Sequence, residues 1–108
     1  MRMYHGGKVQ FTSADNALYG AGLYVSPRWA VAELHSYNGE IHEIEFKLEN
    51  PYVVNNDNRE EFYRMSEAGI TAAQKTAILS GLGYDGVQVL DAEGGIQEVV
   101  IFSKKSLV

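Results

Sequence analysis

The chain of 108 residues has no cysteine. That removes disulfides, a thiolate nucleophile and any Cys-based metal site. Cations are scarce as well: 9 Lys and Arg face 14 Asp and Glu, for a net charge of −5. A broad nucleic-acid platform leans on clustered Lys and Arg and is disfavoured, which leaves open a small local contact. No apolar run is long enough to span a bilayer, and Arg2 and Lys8 are not followed by the apolar h-region of a leader. A cytoplasmic protein without membrane contact is expected. HExxH, P-loop and GxSxG motifs are absent. His35 and His42 have no obvious His or carboxylate partner at ligand spacing, so no metal is expected. With no repeat or linker and 21% charged residues, the chain reads as one ordered domain, 1–108, with one modest core.

The pattern along the chain alternates short strand and helix signals. A first strand is expected to end at His5, broken by Gly6-Gly7. The stretch 9–18 reads as loop. Leu23-Tyr24-Val25 is a short β-type run between Gly22 and Ser26. Ser26-Pro27 resembles an N-cap and first helical residue, and the spacing of Trp29, Ala32, Glu33 and Ser36 predicts a helix over 27–37. Residues 40–48 alternate polar and apolar as a half-buried strand, with Glu40, Glu43 and Glu45 on a solvated face. A short strand at 52–54, helices at 59–68 and 71–82, and strands at 86–90 and 99–102 complete the reading, the last buried on both faces. The class is α+β.

Three residues carry a candidate site. His5, at a strand end before two glycines, can exchange a hydrogen bond with a ribose hydroxyl, and the glycines admit a ligand close to the backbone. Read alone, it suits a surface residue better. Tyr24 offers a face for stacking on a flat ring, or for core packing. Gly20 and Gly22 are no dinucleotide fingerprint, lacking the third glycine and the helix start. Glu98 immediately precedes four apolar residues, so its carboxylate stands at the entrance to a low-dielectric region and needs a partner or a task. A gatekeeper charge beside an aggregation-prone strand is the alternative.

Tyr4-His5-Gly6, then Gly20-Ala21-Gly22-Leu23-Tyr24-Val25-Ser26, then Glu98-Val99-Val100-Ile101-Phe102 occur in that order across nearly the whole chain. Together they resemble the ADP-ribosyltransferase superfamily, in its His-Tyr-Glu branch typified by diphtheria toxin and the poly(ADP-ribose) polymerases. The first is similar to that family's His-Gly strand, the second to its Gly-x-Gly-Ile-Tyr-Phe segment, the third to its Glu-Tyr-Ile-Val-Tyr strand.

The resemblance implies two small, mainly antiparallel sheets with two or three short helices and an NAD cleft between the sheets. It implies that His5 bonds a ribose, that the Gly6 backbone grips the nicotinamide amide, and that Tyr24 stacks on the nicotinamide. Ser26 belongs to the same cofactor-binding segment. Glu98 is implied as the catalytic carboxylate. A second stacking Tyr on the following helix is replaced by His35, with Tyr37 two residues on, and both stay open as the opposite wall. Ile96 stands where the arginine-modifying branch has Gln or Glu. The loop before Glu98, with Asp91, Glu93 and Gln97, is the expected acceptor contact. The implied activity is mono-ADP-ribosylation of a macromolecule, a protein being favoured over a nucleic acid. NAD is the co-substrate, and the small acidic chain fits a toxin-like bacterial or phage effector. An NAD glycohydrolase and a non-catalytic NAD- or protein-binding module of the same fold are the alternatives.

Overall fold

Alternation of side chains through residues 41–45 decides how the first sheet forms. The computed structural model describes residues 1–12, 17–34, 36 and 39–108. In order, these build β1 (Arg2–Gly6), β2 (Leu23–Val25), α1 (Trp29–Leu34), β3 (Ile41–Glu45) and β4 (Pro51–Val54). Then come α2 (Arg59–Glu67), α3 (Ala72–Gly81), β5 (Gly86–Leu90), β6 (Ile96–Ile101) and a 3-10 turn at Lys104–Ser106. β1 and β3 pair antiparallel, with Met3 opposite Ile44 and His5 opposite His42. Met3 is buried, while Glu43 and Glu45 stay exposed beside Arg2. The outer face of this ribbon is therefore solvated, as the alternation requires.

The second sheet has the order β2-β6-β5-β4. β4 and β5 run parallel and the other pairs antiparallel. A parallel pair needs a crossover, and α2 and α3 supply it. The two sheets touch where Tyr4 and Ser26 exchange backbone hydrogen bonds of 2.8 and 2.9 Å. The fold is thus α+β, with two sheets and three α-helices among the described residues.

β6 is the centre of the molecule. Val99 and Ile101 pack on one face with Met3, Leu23, Val25 and Phe46. Val100 packs on the other with Val54, Phe62, Leu79, Val87 and Val89. A strand covered on both faces reads as a continuous apolar run, which is the signal the sequence carries. The core consequently falls into two halves, where a single one was expected.

Several boundaries differ from expectation. The helix predicted over 27–37 begins only at Trp29 and is assigned to Leu34. Ser26 is still extended, in its bridge to Tyr4, and its hydroxyl accepts the Arg28 N–H at 3.1 Å. Ser26-Pro27 is a turn into the helix, and the Arg28 carbonyl accepts the first helical bonds. The strand predicted over 40–48 ends at Glu45; Phe46 turns inward and bridges Leu107. β6 starts at Ile96 and stops short of Phe102, so Glu98 lies inside the strand opposite Val89, not at its entrance. β1 includes Gly6, and Gly7, with φ 87°, ends it. α3 has the capping box its sequence allows: Thr71 and Gln74 satisfy each other's backbone N–H.

Candidate functional site: a cavity at the seam of the two sheets

Register places the candidate residues together. Tyr24 on β2 lies opposite Val100 on β6, and Glu98 is two residues before Val100. Side chains alternate in a strand, so Tyr24 and Glu98 share one face. β1 arrives beside β2 through the Tyr4–Ser26 bridge and delivers His5. A cavity of about 570 Å³ opens at this seam, and His5, Gly6, Tyr24, Ser26 and Glu98 all line it. That volume suits a small-molecule site.

His5 is held between two carbonyls. Its Nδ1 is 2.6 Å from the Tyr24 oxygen and its Nε2 is 2.9 Å from the Lys8 oxygen. A neutral imidazole has one N–H and satisfies one of the two. The Tyr24 contact ties the sheets together, whereas the Lys8 contact is exposed. A ligand hydroxyl, able to donate to the unprotonated nitrogen, is a better partner there than a second carbonyl.

Tyr24 is fixed by its hydroxyl, which donates to the Gly20 carbonyl at 2.7 Å and accepts the Tyr19 N–H at 3.2 Å. Burial, with the negative charge of Glu98 in support, pushes its phenol far above the ordinary range, so it remains a neutral donor. Ser26 is buried and donates its hydroxyl to the Gln97 carbonyl at 2.8 Å, tying β2 to the start of β6. Glu98 differs from these neighbours. It is half-buried, burial raises its carboxyl above the usual range, and its carboxylate has no hydrogen bond or ion pair among the described residues.

The wall made by 17–22 is pinned from behind by α3. The buried Lys75 donates to the Leu18 carbonyl at 2.8 Å and the Ser66 hydroxyl at 2.5 Å. Thr76 donates to the Ala21 carbonyl at 2.8 Å, and Ala21 N–H reaches the Ala72 carbonyl at 3.1 Å. Gly22 lies so close to β6 that a Cβ would strike the Ile101 carbonyl. The glycine pair therefore serves close packing of this wall.

The loop expected to meet an acceptor is built differently. Asp91 does not line the cavity. Its Oδ1 accepts the N–H groups of Glu93 and Gly95 at 3.0 and 2.9 Å, and its Oδ2 accepts from Arg28 at 2.7 Å. Its carboxylate is committed to holding the β5–β6 turn. Glu93 and Gln97 are exposed and also lie off the cavity lining. His35 and Tyr37, the two candidates for the second stacking wall, lie outside the described residues.

Sequence reading missed Tyr19, Tyr4 and Lys8, all of which line the cavity. Tyr19 rests edge-on against Phe62 with centroids 5.3 Å apart. Burial raises its phenol, Arg59 pulls the other way, and Glu98 adds to the rise. Its one sequence signal was its place directly before Gly20. Tyr4 packs edge-on against Trp29 at 5.2 Å. His42, expected to lack a carboxylate partner, meets Glu40 at 2.6 Å on the exposed ribbon. Among the described residues no group of three or more His, Asp or Glu gathers as a metal site. None of their helices is long and apolar enough to cross a membrane.

No protein-family model matches the chain, and no curated protein matches it. Among solved structures, it is similar to a chain in the crystal structure of an anti-CRISPR protein. The two are 18% identical with a TM-score of 0.48, over 94% of this chain and 89% of the other.

Proposed function

We propose that the chain is a mono-ADP-ribosyltransferase that cleaves NAD and passes ADP-ribose to a macromolecular acceptor, with the ADP-ribosyltransferase fold as its scaffold. One observation carries this reading. Glu98, half-buried and without a partner among the described residues, faces a cavity shared with Tyr24 and His5. An ionised carboxylate in such a position is costly unless charge of the opposite sign arrives.

NAD supplies that charge. As the nicotinamide glycosidic bond breaks, its electron pair leaves with nicotinamide and positive charge builds on the ribose. A fixed carboxylate beside that ribose is worth most in the transition state, when the charge is largest. His5, with one nitrogen held by Tyr24, turns the other toward a ribose hydroxyl. Tyr24 offers its ring face to the nicotinamide, kept in place by Gly20 and Tyr19. The acceptor nucleophile then bonds the ribose carbon and gives up its proton. A protein acceptor and a cytoplasmic setting belong to the same proposal, the acidic chain being poorly suited to a polyanion.

The test is release of nicotinamide from labelled NAD in the presence of a cell lysate. Wild type should release it and label a macromolecule. Glu98→Gln should lower turnover roughly a hundredfold or more while NAD affinity stays nearly unchanged. Free ADP-ribose without labelled macromolecule would instead make the protein a glycohydrolase. NAD binding without turnover would make it a binding module.

A further inference from the structure

We propose that Lys8 binds the diphosphate of NAD, so that the cavity matches the dinucleotide by charge along its length. This rests on the reading of the cavity as an NAD site. Among the described residues lining it, Lys8 and Glu98 are the only side chains from Lys, Arg, Asp and Glu. NAD is itself dipolar, with a cationic pyridinium at one end and an anionic diphosphate one ribose away.

The order of the groups in the cavity follows the order in the ligand. Glu98 and Tyr24 share one strand face. His5 comes next, its Nδ1 reaching the Tyr24 carbonyl and its Nε2 the Lys8 carbonyl. The Lys8 carbonyl therefore lies at the opposite edge of the His5 ring from the Tyr24 carbonyl, and Lys8 also lines the cavity. Nicotinamide at Tyr24 and ribose at His5 put the diphosphate next to Lys8.

Other nearby cations are engaged elsewhere. Arg2 pairs with Glu43 and Glu45, and Arg28 with Asp91. Lys8 is exposed, and its ammonium has no ion pair or hydrogen bond among the described residues. The loop that carries it is anchored at both ends, by Gly7 N–H to the Glu40 carbonyl and by the Thr12–Gly22 bridge. In a chain of net charge −5, a diphosphate is repelled at long range, and one local cation offsets that repulsion. An all-anionic ligand such as a nucleoside triphosphate would gain from Lys8 and lose at Glu98.

Calorimetric titration of wild type, Lys8→Met and Lys8→Arg separates the contributions, with NAD, ADP-ribose and nicotinamide riboside as probes. Lys8→Met should weaken NAD and ADP-ribose about tenfold and leave the phosphate-free riboside within about twofold. Lys8→Arg should restore most of the loss. Raising ionic strength should narrow the gap between wild type and Lys8→Met, because the contact is exposed. Equal losses for the riboside would assign Lys8 a structural role through its carbonyl and overturn the proposal. Unchanged ADP-ribose affinity would overturn it while NAD binding by wild type stands. If wild type binds neither NAD nor ADP-ribose, the reading of the cavity falls first, and Lys8 with it.

Discussion

A carboxylate held half-buried without a partner lowers stability, and among the described residues Glu98 has none. Its carboxyl is raised by burial. Below the ordinary carboxylate range both folded and unfolded chains carry the proton, and the penalty is absent. As pH rises through the ordinary value the unfolded chain ionises first, and stability falls. The loss is complete above the raised folded value. Glu98→Gln should therefore melt higher than wild type near neutral pH, with the gap closing on acidification, as thermal unfolding across pH would show. A variant that melts lower at neutral pH would mean that Glu98 has a stabilising partner. Loss of turnover together with gained stability is the trade expected of a functional group kept at a structural cost. At this scale the sequence was partly legible. Glu98 announced itself by the apolar run behind it, and Tyr24 by its glycine neighbours. Lys8 and Tyr19 carried no comparable signal, because their place on the cavity lining arises only when the 7–12 and 17–22 segments fold together.

The wall 17–22 shows how an element is held by packing more than by its own regularity. Gly20 has φ 114°, and a Cβ there would meet the Thr76 hydroxyl at 2.7 Å. Gly20→Ala should cost about 1–3 kcal/mol in urea unfolding, from backbone strain alone. Adding Thr76→Ala removes the collision but also the hydrogen bond to the Ala21 carbonyl, so the double variant should stay destabilised. Unchanged stability in Gly20→Ala would show that this wall is not packed as described. The regular elements were easier to read than this wall. The alternation of β3, the capped α3 and the apolar run of β6 are local patterns with one structural solution each. The start of α1 was misread by two residues: the Ser26 hydroxyl accepts the Arg28 N–H as a cap would, but the first helical bonds run to the Arg28 carbonyl. The first residues of β6 were missed as well. Ile96, Gln97 and Glu98 alternate too briefly to mark a strand, and their pairing with β5 includes a register shift at Val89 and Leu90.

Across the whole molecule, the seam between the sheets is where a ligand would act. The polar links across it include the Tyr4–Ser26 backbone pair and the His5 contact to Tyr24, beside the apolar packing of Met3 with Leu23 and Val25. A ligand seated there touches β1, β2 and β6 together, so binding stabilises both sheets at once. At about a hundred times its Kd, a ligand specific for the folded state adds roughly 2.7 kcal/mol. For a domain of about this size each kcal/mol moves Tm by about 4–8 °C, so saturating NAD should raise it by on the order of 10 °C or more. On the proposed mechanism Glu98→Gln should retain most of this shift, since the carboxylate would serve the transition state more than the bound ground state. Amide exchange gives the more specific reading. The N–H groups of Tyr4 and Ser26 close the seam from opposite sides, each bonded to the other residue's carbonyl. Both should gain protection when NAD binds, because opening the seam then requires releasing the ligand. Protection confined to β1, or to the four-stranded sheet, would place the ligand on one side of the seam and contradict a site shared by the two sheets.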